Sequence, residues 1–252
     1  MRGSRMTAGS VALLGASLIL LLSPGAAVAN GAMAGFIAID AGQEATCGLR
    51  RDATVWCWGS RLHGELGDGL VGGSSTVPVQ VQTASGALAG VSQLSVGNQH
   101  ACALLDDGSA WCWGRNDHGQ LGAGWASTAE SFAVRMTDGG ASLPLIHEVS
   151  ANALLTLALL ENGSVRCWGS SDLGQCGDGT TGYGNQRIDP VMVRSATGPI
   201  RRIVAISAGG GQHCALRDDA TAWCWGWNRW GAVGDGTAGN LRTLAVKVRA
   251  AD

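Results

Sequence analysis

The chain has 252 residues, of which 40 are Gly, 10 are Trp and 8 are Cys, with a formal net charge of −2. Charged residues are 14% of the total, and the slightly negative balance excludes a generic nucleic-acid-binding surface. The Trp content excludes a disordered chain, and the lack of a Gly-X-Y period excludes collagen, leaving a turn-rich all-β protein with a core.

The first element in chain order is a leader. Arg2 and Arg5 precede an apolar run from Val11 to Leu22, and Ser23-Pro24-Gly25 break it ahead of Ala27-Val28-Ala29. That order of charge, apolar run and small residues predicts a signal peptide over 1–29. The run is too short to span a ~30 Å bilayer core as a helix. The expected product is an exported chain without a membrane span, located in the periplasm, at the cell surface or outside the cell.

Residues 30–252 are expected to form one β-propeller domain of four repeats, about 36–90, 91–145, 146–202 and 203–252. Cys-Trp-Gly recurs at Cys57, Cys112, Cys167 and Cys224, at spacings of 55, 55 and 57 residues. The first copy runs from Ala41-Gly42 to Cys47-Gly48-Leu49, and the second from Val96-Gly97 to Cys102-Ala103-Leu104. The fourth runs from Ala208-Gly209 to Cys214-Ala215-Leu216, and the third has Leu157 where the others have Cys. Alternating strands such as Val77 to Val81, Val191 to Val193 and Leu244 to Val248 close the units.

Within a unit the pattern is strand, turn, strand. Asp106-Asp107-Gly108 predicts a hairpin loop with Gly in the left-handed position, which sets Cys102 opposite Cys112 and Leu104 opposite Ala110. The first and fourth copies carry Ala53 and Ala220 in place of that Gly, so their turns are expected to be weaker or different. Period-two alternation puts Trp111 and Trp113 on one face and Cys112 on the other. Repeats of this length with about four strands predict a β-propeller, whose blades bury the Trp stripe by stacking. Each buried Trp removes roughly 200 Å² from water, worth ~5 kcal/mol at most. The chain opens on a first strand and ends on a last strand, so the two terminal strands are expected to pair and close a ring.

The repeat also sorts the cysteines. Cys47–Cys57, Cys102–Cys112 and Cys214–Cys224 are predicted to bridge across hairpins, as suits an exported protein. Cys167 and Cys176 are left over and are either a fourth bridge, two buried thiols or, least in keeping with the spacing, zinc ligands.

The composite motif Ala-Gly…His-x-Cys-Ala-Leu…Asp-Gly…Cys-Trp-Gly-x-Asn-x-x-Gly-Gln-Leu-Gly, fullest between Val96 and Gly122, resembles the regulator of chromosome condensation repeat. The resemblance covers residues 36–252 and implies propeller blades, as in seven-bladed members. Four repeats fit a four-bladed ring, an open arc or half of an assembly. The eukaryotic members' nuclear exchange-factor and chromatin roles are not carried over to a chain with an export signal. The Gly-Trp-Arg-His-Thr run of the family's plant photoreceptor is absent from this sequence. Exported bacterial propellers of this broad class, some of them β-lactamase inhibitors, offer a nearer analogy.

Candidate sites are few. His100 and His213 beside the hairpin cysteines are expected to be hydrogen-bonded structural residues, and His63 and His118 loop histidines. Asp68, Asp178 and Asp235 lie in Gly-Asp-Gly, which suits a turn better than a calcium loop, since the alternating oxygen ligands are missing. Glu44, Glu65, Glu130, Glu148 and Glu161 are out of phase with the repeat, so no acid–base pair, cofactor site or metal site is predicted. The residues that break the repeat carry the functional expectation: Trp227, Arg229 and Trp230 in one loop, and Trp125 in another, are predicted partner-binding residues. The expected function is a non-enzymatic exported module that binds a protein or envelope partner. A carbohydrate-binding or hydrolytic propeller is the alternative, and a homo-oligomer stays open.

Overall fold

The structure, a computed structural model, describes residues 33–250. The predicted leader over 1–29 lies outside the described residues. Each Cys-Trp-Gly run sits in the third strand of a four-stranded antiparallel meander. The first sheet is β1 (Phe36–Ala41), β2 (Ala45–Arg50), β3 (Val55–Ser60) and β4 (Ser74–Gln80). A short hairpin, β5 (Gln82–Thr83) and β6 (Gly86–Ala87), leads to the second sheet. That sheet is β7 (Val91–Val96), β8 (His100–Leu105), β9 (Ala110–Asn116) and β10 (Ser127–Arg135). The hairpin β11 (Thr137–Asp138) and β12 (Ala141–Ser142) precedes the third sheet. Its strands are β13 (Ile146–Ala151), β14 (Leu155–Leu160), β15 (Val165–Ser170) and β16 (Gln186–Met192). The hairpin β17 (Arg194–Ser195) and β18 (Gly198–Pro199) leads to the fourth sheet. Its strands are β19 (Ile203–Ala208), β20 (Gln212–Arg217), β21 (Ala222–Asn228) and β22 (Asn240–Lys247). These are propeller blades. No helix among the described residues is long and apolar enough to cross a membrane.

Hairpin register follows from the turns. Cys102 pairs with Cys112 and Leu104 with Ala110, and the same register sets Cys47 against Cys57 and Cys214 against Cys224. The turns with Ala are not different from those with Gly. Ala53 and Ala220 adopt φ of 60° and 61°, close to the 76° of Gly108, so neighbouring strand pairing forces Ala into a conformation that costs it energy.

The two faces of each blade do different things. Ala101, Ala103 and Trp113 pack back onto Cys47, Cys57 and Leu49 of the first sheet, while Cys102 and Cys112 pack forward onto Val149 and Trp168 of the third. A third core joins Leu157, Cys167 and Cys176 to Ile206, Ala215 and Trp225 of the fourth sheet. Trp113, Trp168 and Trp225 are fully buried, whereas Trp58, the equivalent in the first sheet, is half-buried.

Inner strands are joined by a repeated hydrogen bond. Val96 N donates to Asp40 Oδ2 at 2.8 Å, Ala151 N to Ser95 Oγ at 3.0 Å and Ala208 N to Ser150 Oγ at 3.1 Å. Gly42 and Gly97 allow this approach, since a Cβ at Gly42 would meet Gly97 O at 1.9 Å. The blades form an open arc among the described residues. β1 and β22 lie in different sheets, so the expected pairing of terminal strands is corrected. Each terminal strand is paired within its own meander, β1 with β2 and β22 with β21.

Candidate functional site

The loop after the third strand of each sheet emerges at one rim of the arc. A small set of buried polar groups shapes it. Asn116 Nδ2 donates to Trp125 O at 2.9 Å, and Asn116 Oδ1 accepts from Leu121 N at 3.1 Å. Asn228 repeats this in the fourth sheet, donating to Thr237 O at 3.1 Å and accepting from Val233 N at 3.0 Å. In the third sheet Ser171 Oγ takes the Cys176 N bond instead, at 3.0 Å. Both Asn side chains are fully buried, so the loops are held by polar groups that water cannot reach.

The predicted residues project from these loops. Trp230 is 81% exposed, and the Arg229 guanidinium lies 5.0 Å from its ring centroid. Trp227 is 39% exposed, and its ring covers Gly211, whose carbonyl accepts Trp227 N at 2.8 Å. Arg229 and Trp230 lie in the loop that follows β21, whereas Trp227, expected in the same loop, lies in β21 itself, paired with Leu241, because the strand ladder runs on to Asn228. Trp125 is 48% exposed and occupies the equivalent loop two sheets away, with its Nε1 donating to Glu130 Oε1 at 2.8 Å.

Other rim residues escaped the sequence reading. Tyr183 is fully exposed in the third sheet's loop, and Leu62, Leu70 and Val71 are exposed in the first. All four loops therefore carry large apolar side chains into solvent. Tyr183 is the chain's single Tyr and stands in a Gly-rich loop, which was a legible signal.

The Gly-Asp-Gly carboxylates are committed to the loops. Asp68 bonds Arg61 at 2.9 Å, Asp178 bonds Arg187 at 2.7 Å and Asp235 bonds Arg242 at 2.5 Å. Burial pushes Asp178 and Asp235 up. Hydrogen bonds from Thr180 and Arg187, and from Thr237 and Arg242, outweigh it and hold both below the usual range. Among the described residues no cluster of His, Cys, Asp and Glu could hold a metal ion. His63 Nδ1 lies 3.1 Å from Glu65 Oε1 and His118 Nδ1 lies 2.7 Å from Asp117 Oδ1, each within its own loop.

The inner strands enclose a hollow of about 240 Å³ lined by Asp40, Glu148 and the serines. Burial pushes Glu148 up to about 7, against the opposing hydrogen bond from Ile206 N at 3.0 Å. Burial also raises Asp40, against the bonds from Val96 N and Ala41 N. Both carboxylates thus have backbone partners and join blades together.

The histidines differ from one another. Thr156 Oγ1 donates to Gln120 O at 2.7 Å, so His100 Nε2 donates to Thr156 Oγ1 at 2.9 Å. His213 is equally buried, but neither ring nitrogen has a hydrogen-bond partner among the described residues. The expectation of a hydrogen bond is corrected for His213. Leu155, at the repeat position of His100, is apolar and offers nothing to it.

All eight cysteines are paired. Cys47–Cys57, Cys102–Cys112 and Cys214–Cys224 span hairpins, and Cys167–Cys176 ties β15 to the loop that follows it.

Comparison with known proteins places this geometry. The family model described as the regulator of chromosome condensation (RCC1) repeat matches residues 36–65, 91–120 and 146–175, and a second model of that repeat matches 52–104. The chain belongs to the RCC1 repeat family. Human HERC2, an E3 ubiquitin-protein ligase, is 34% identical over 145 residues, covering 58% of this chain and 3% of that protein. The Arabidopsis thaliana ultraviolet-B receptor UVR8 is 28% identical over 199 residues, covering 79% of this chain and 42% of the receptor. The chain thus spans less than half the length of either relative. Among solved structures, Prp20p of Saccharomyces cerevisiae matches with a TM-score of 0.71 at 17% identity, over 87% of this chain and 52% of that one. Yeast RCC1 bound to Kap60 matches with a TM-score of 0.69 at 20% identity, over 85% and 49%. These RCC1 structures share the propeller fold with this chain.

Proposed function

We propose that this RCC1-repeat chain is an exported, non-enzymatic module that binds a protein partner through its aromatic loop rim. The observation that carries the reading is Trp230, with Arg229 stacked on it, standing 81% exposed on a loop whose base is locked by buried Asn228. Trp, Tyr and Arg are the side chains that most often anchor protein interfaces. A rigid loop keeps the ordering cost of binding low. Yeast RCC1 (Prp20) was solved bound to Kap60 and was also described with its binding to Gsp1p and histones, so a neighbour with this fold binds proteins. The partner here would be exported or envelope-bound, because four disulfides suit an oxidising compartment and residues 1–29 read as a leader. The non-enzymatic reading rests on the titratable groups. The loop carboxylates hold arginines, and Glu148 and Asp40 hold neighbouring strands.

Site-specific photo-crosslinking in exporting cells tests this. A crosslinker at position 230 or 183 is expected to yield one discrete protein adduct, and one at the exposed Thr197 away from the rim none. Equal labelling at all three positions, or none, would refute the reading.

A further inference from the structure

We propose that the two open ends of the arc are the two halves of a blade junction, and that a second copy of the chain closes them head to tail. This goes beyond the rim reading and does not depend on it.

The internal junctions define what a junction needs. A Trp-bearing face meets the disulfide-bearing face of the preceding sheet, an inner-strand amide reaches a side-chain oxygen, and at two of the three junctions an indole N–H reaches a loop carbonyl. The last bond is Trp113 Nε1 to Glu65 O at 2.9 Å and Trp225 Nε1 to Gln175 O at 2.7 Å. At the start of the arc the first sheet presents the Trp-bearing half. Trp58 is half-buried with Phe36 edge-on at 6.0 Å, and Ile39 is exposed. Trp58 Nε1 has no acceptor among the described residues, and Ala41 N, which follows the phase of Val96, Ala151 and Ala208, turns back onto Asp40 Oδ1 at 2.9 Å.

At the other end the fourth sheet presents the disulfide-bearing half. Leu216 and Val204 are exposed there, and Cys214 is half-buried where its counterparts Cys47 and Cys102 are fully buried. Ser207 follows the phase of Asp40, Ser95 and Ser150, and Ala232 that of Glu65, Gln120 and Gln175. Both are exposed, and neither Ser207 Oγ nor Ala232 O has a donor among the described residues. Each open acceptor at one end thus matches a donor at the other: Ser207 Oγ with Ala41 N, which would leave its neighbour Asp40 Oδ1, and Ala232 O with Trp58 Nε1.

A head-to-tail contact of this kind is heterologous and closes as a ring of two copies if the rotation permits. Two four-bladed arcs give eight blades, at the upper end of the usual propeller range.

Light scattering on the purified full chain at micromolar concentration tests the proposal. The expected mass is twice that of the chain. Ile39→Glu and Leu216→Glu each put a charge on one half-junction at an already exposed position. Each variant alone is expected to be a folded monomer by circular dichroism, with dimerisation weakened roughly a hundredfold. Mixing the two is expected to restore a one-to-one pair, because each retains the half that the other lacks. A monomeric wild type, an open polymer, or variants that both remain dimeric would overturn the proposal.

Discussion

Trp113 Nε1 donates to Glu65 O at 2.9 Å across the seam between the first two blades, whereas Nε1 of Trp168, the same residue one blade later, has no acceptor among the described residues. The cause is local. Gln120 O, the acceptor in Trp168's phase, is taken by Thr156 Oγ1. Both indoles are fully buried, so their packing is alike and their hydrogen bonding is not.

Replacing each by Phe separates the two contributions. Trp113→Phe leaves Glu65 O short of a donor, while Trp168→Phe removes an N–H that has no partner. Trp113→Phe is expected to cost more stability, by ~1 kcal/mol, in denaturant titrations. Equal costs would mean that the indole bond adds nothing at the seam.

Ala53 and Ala220 hold the left-handed turn position that Gly108 and Gly163 fill in the other blades. Ala53→Gly and Ala220→Gly are each expected to raise stability by ~0.5–1 kcal/mol, since Gly adopts that conformation without a Cβ clash. Thermal unfolding of the single variants and the pair reads this, with near-additive gains because the turns lie in different blades.

Acid and base weaken the fold by separate routes. Burial alone lowers His100 to about 4 and His213 to about 3, so an unfolded histidine takes a proton that the folded one refuses. Stability contributed by these groups is full above about pH 6.5 and is lost as pH falls toward their folded values. Glu148 behaves oppositely. Raised to about 7, it favours the folded state below its unfolded value near 4.5, and that contribution is lost as pH rises through 7. Glu148→Gln keeps an acceptor for Ile206 N and removes the charge. It is expected to remove the fall in stability between about pH 4.5 and 7, a change of ~1–3 kcal/mol that is complete by about pH 8.

The rim separates binding from folding. Trp230→Ala is expected to change stability by less than ~0.5 kcal/mol, as for other exposed positions. Trp227→Ala is expected to cost ~1 kcal/mol, because its ring covers Gly211. Chemical denaturation of both variants reads the contrast.

Much of this was legible in the sequence because the repeat is strict where the physics is strict. The 55-residue phase placed the Cys-Trp-Gly strands, since alternation in a hairpin fixes which side chain faces which blade. The turns at Ala53 and Ala220 keep the glycine geometry because strand pairing overrides local preference, so the expected weakness shows as strain rather than as a different turn. The inner-strand bonds were missed because Asp40 differs in type from Ser95 and Ser150 and shares with them only the ability to accept an amide. Tyr183 was missed because it has no counterpart in the other copies. Whether four repeats close a ring stayed open in the sequence, because a strand sequence cannot say which edge or face stays uncovered, and the suggested pairing of the terminal strands does not occur.

In the proposed function the aromatic rim binds a protein. Once crosslinking has identified that partner, calorimetric titration against wild type and the Trp125→Ala, Tyr183→Ala, Trp230→Ala triple variant tests it most directly. The account predicts affinity lower by roughly thirtyfold or more, with the melting transition unchanged, as for loss of interface anchors. Unchanged affinity in a folded triple variant would contradict it.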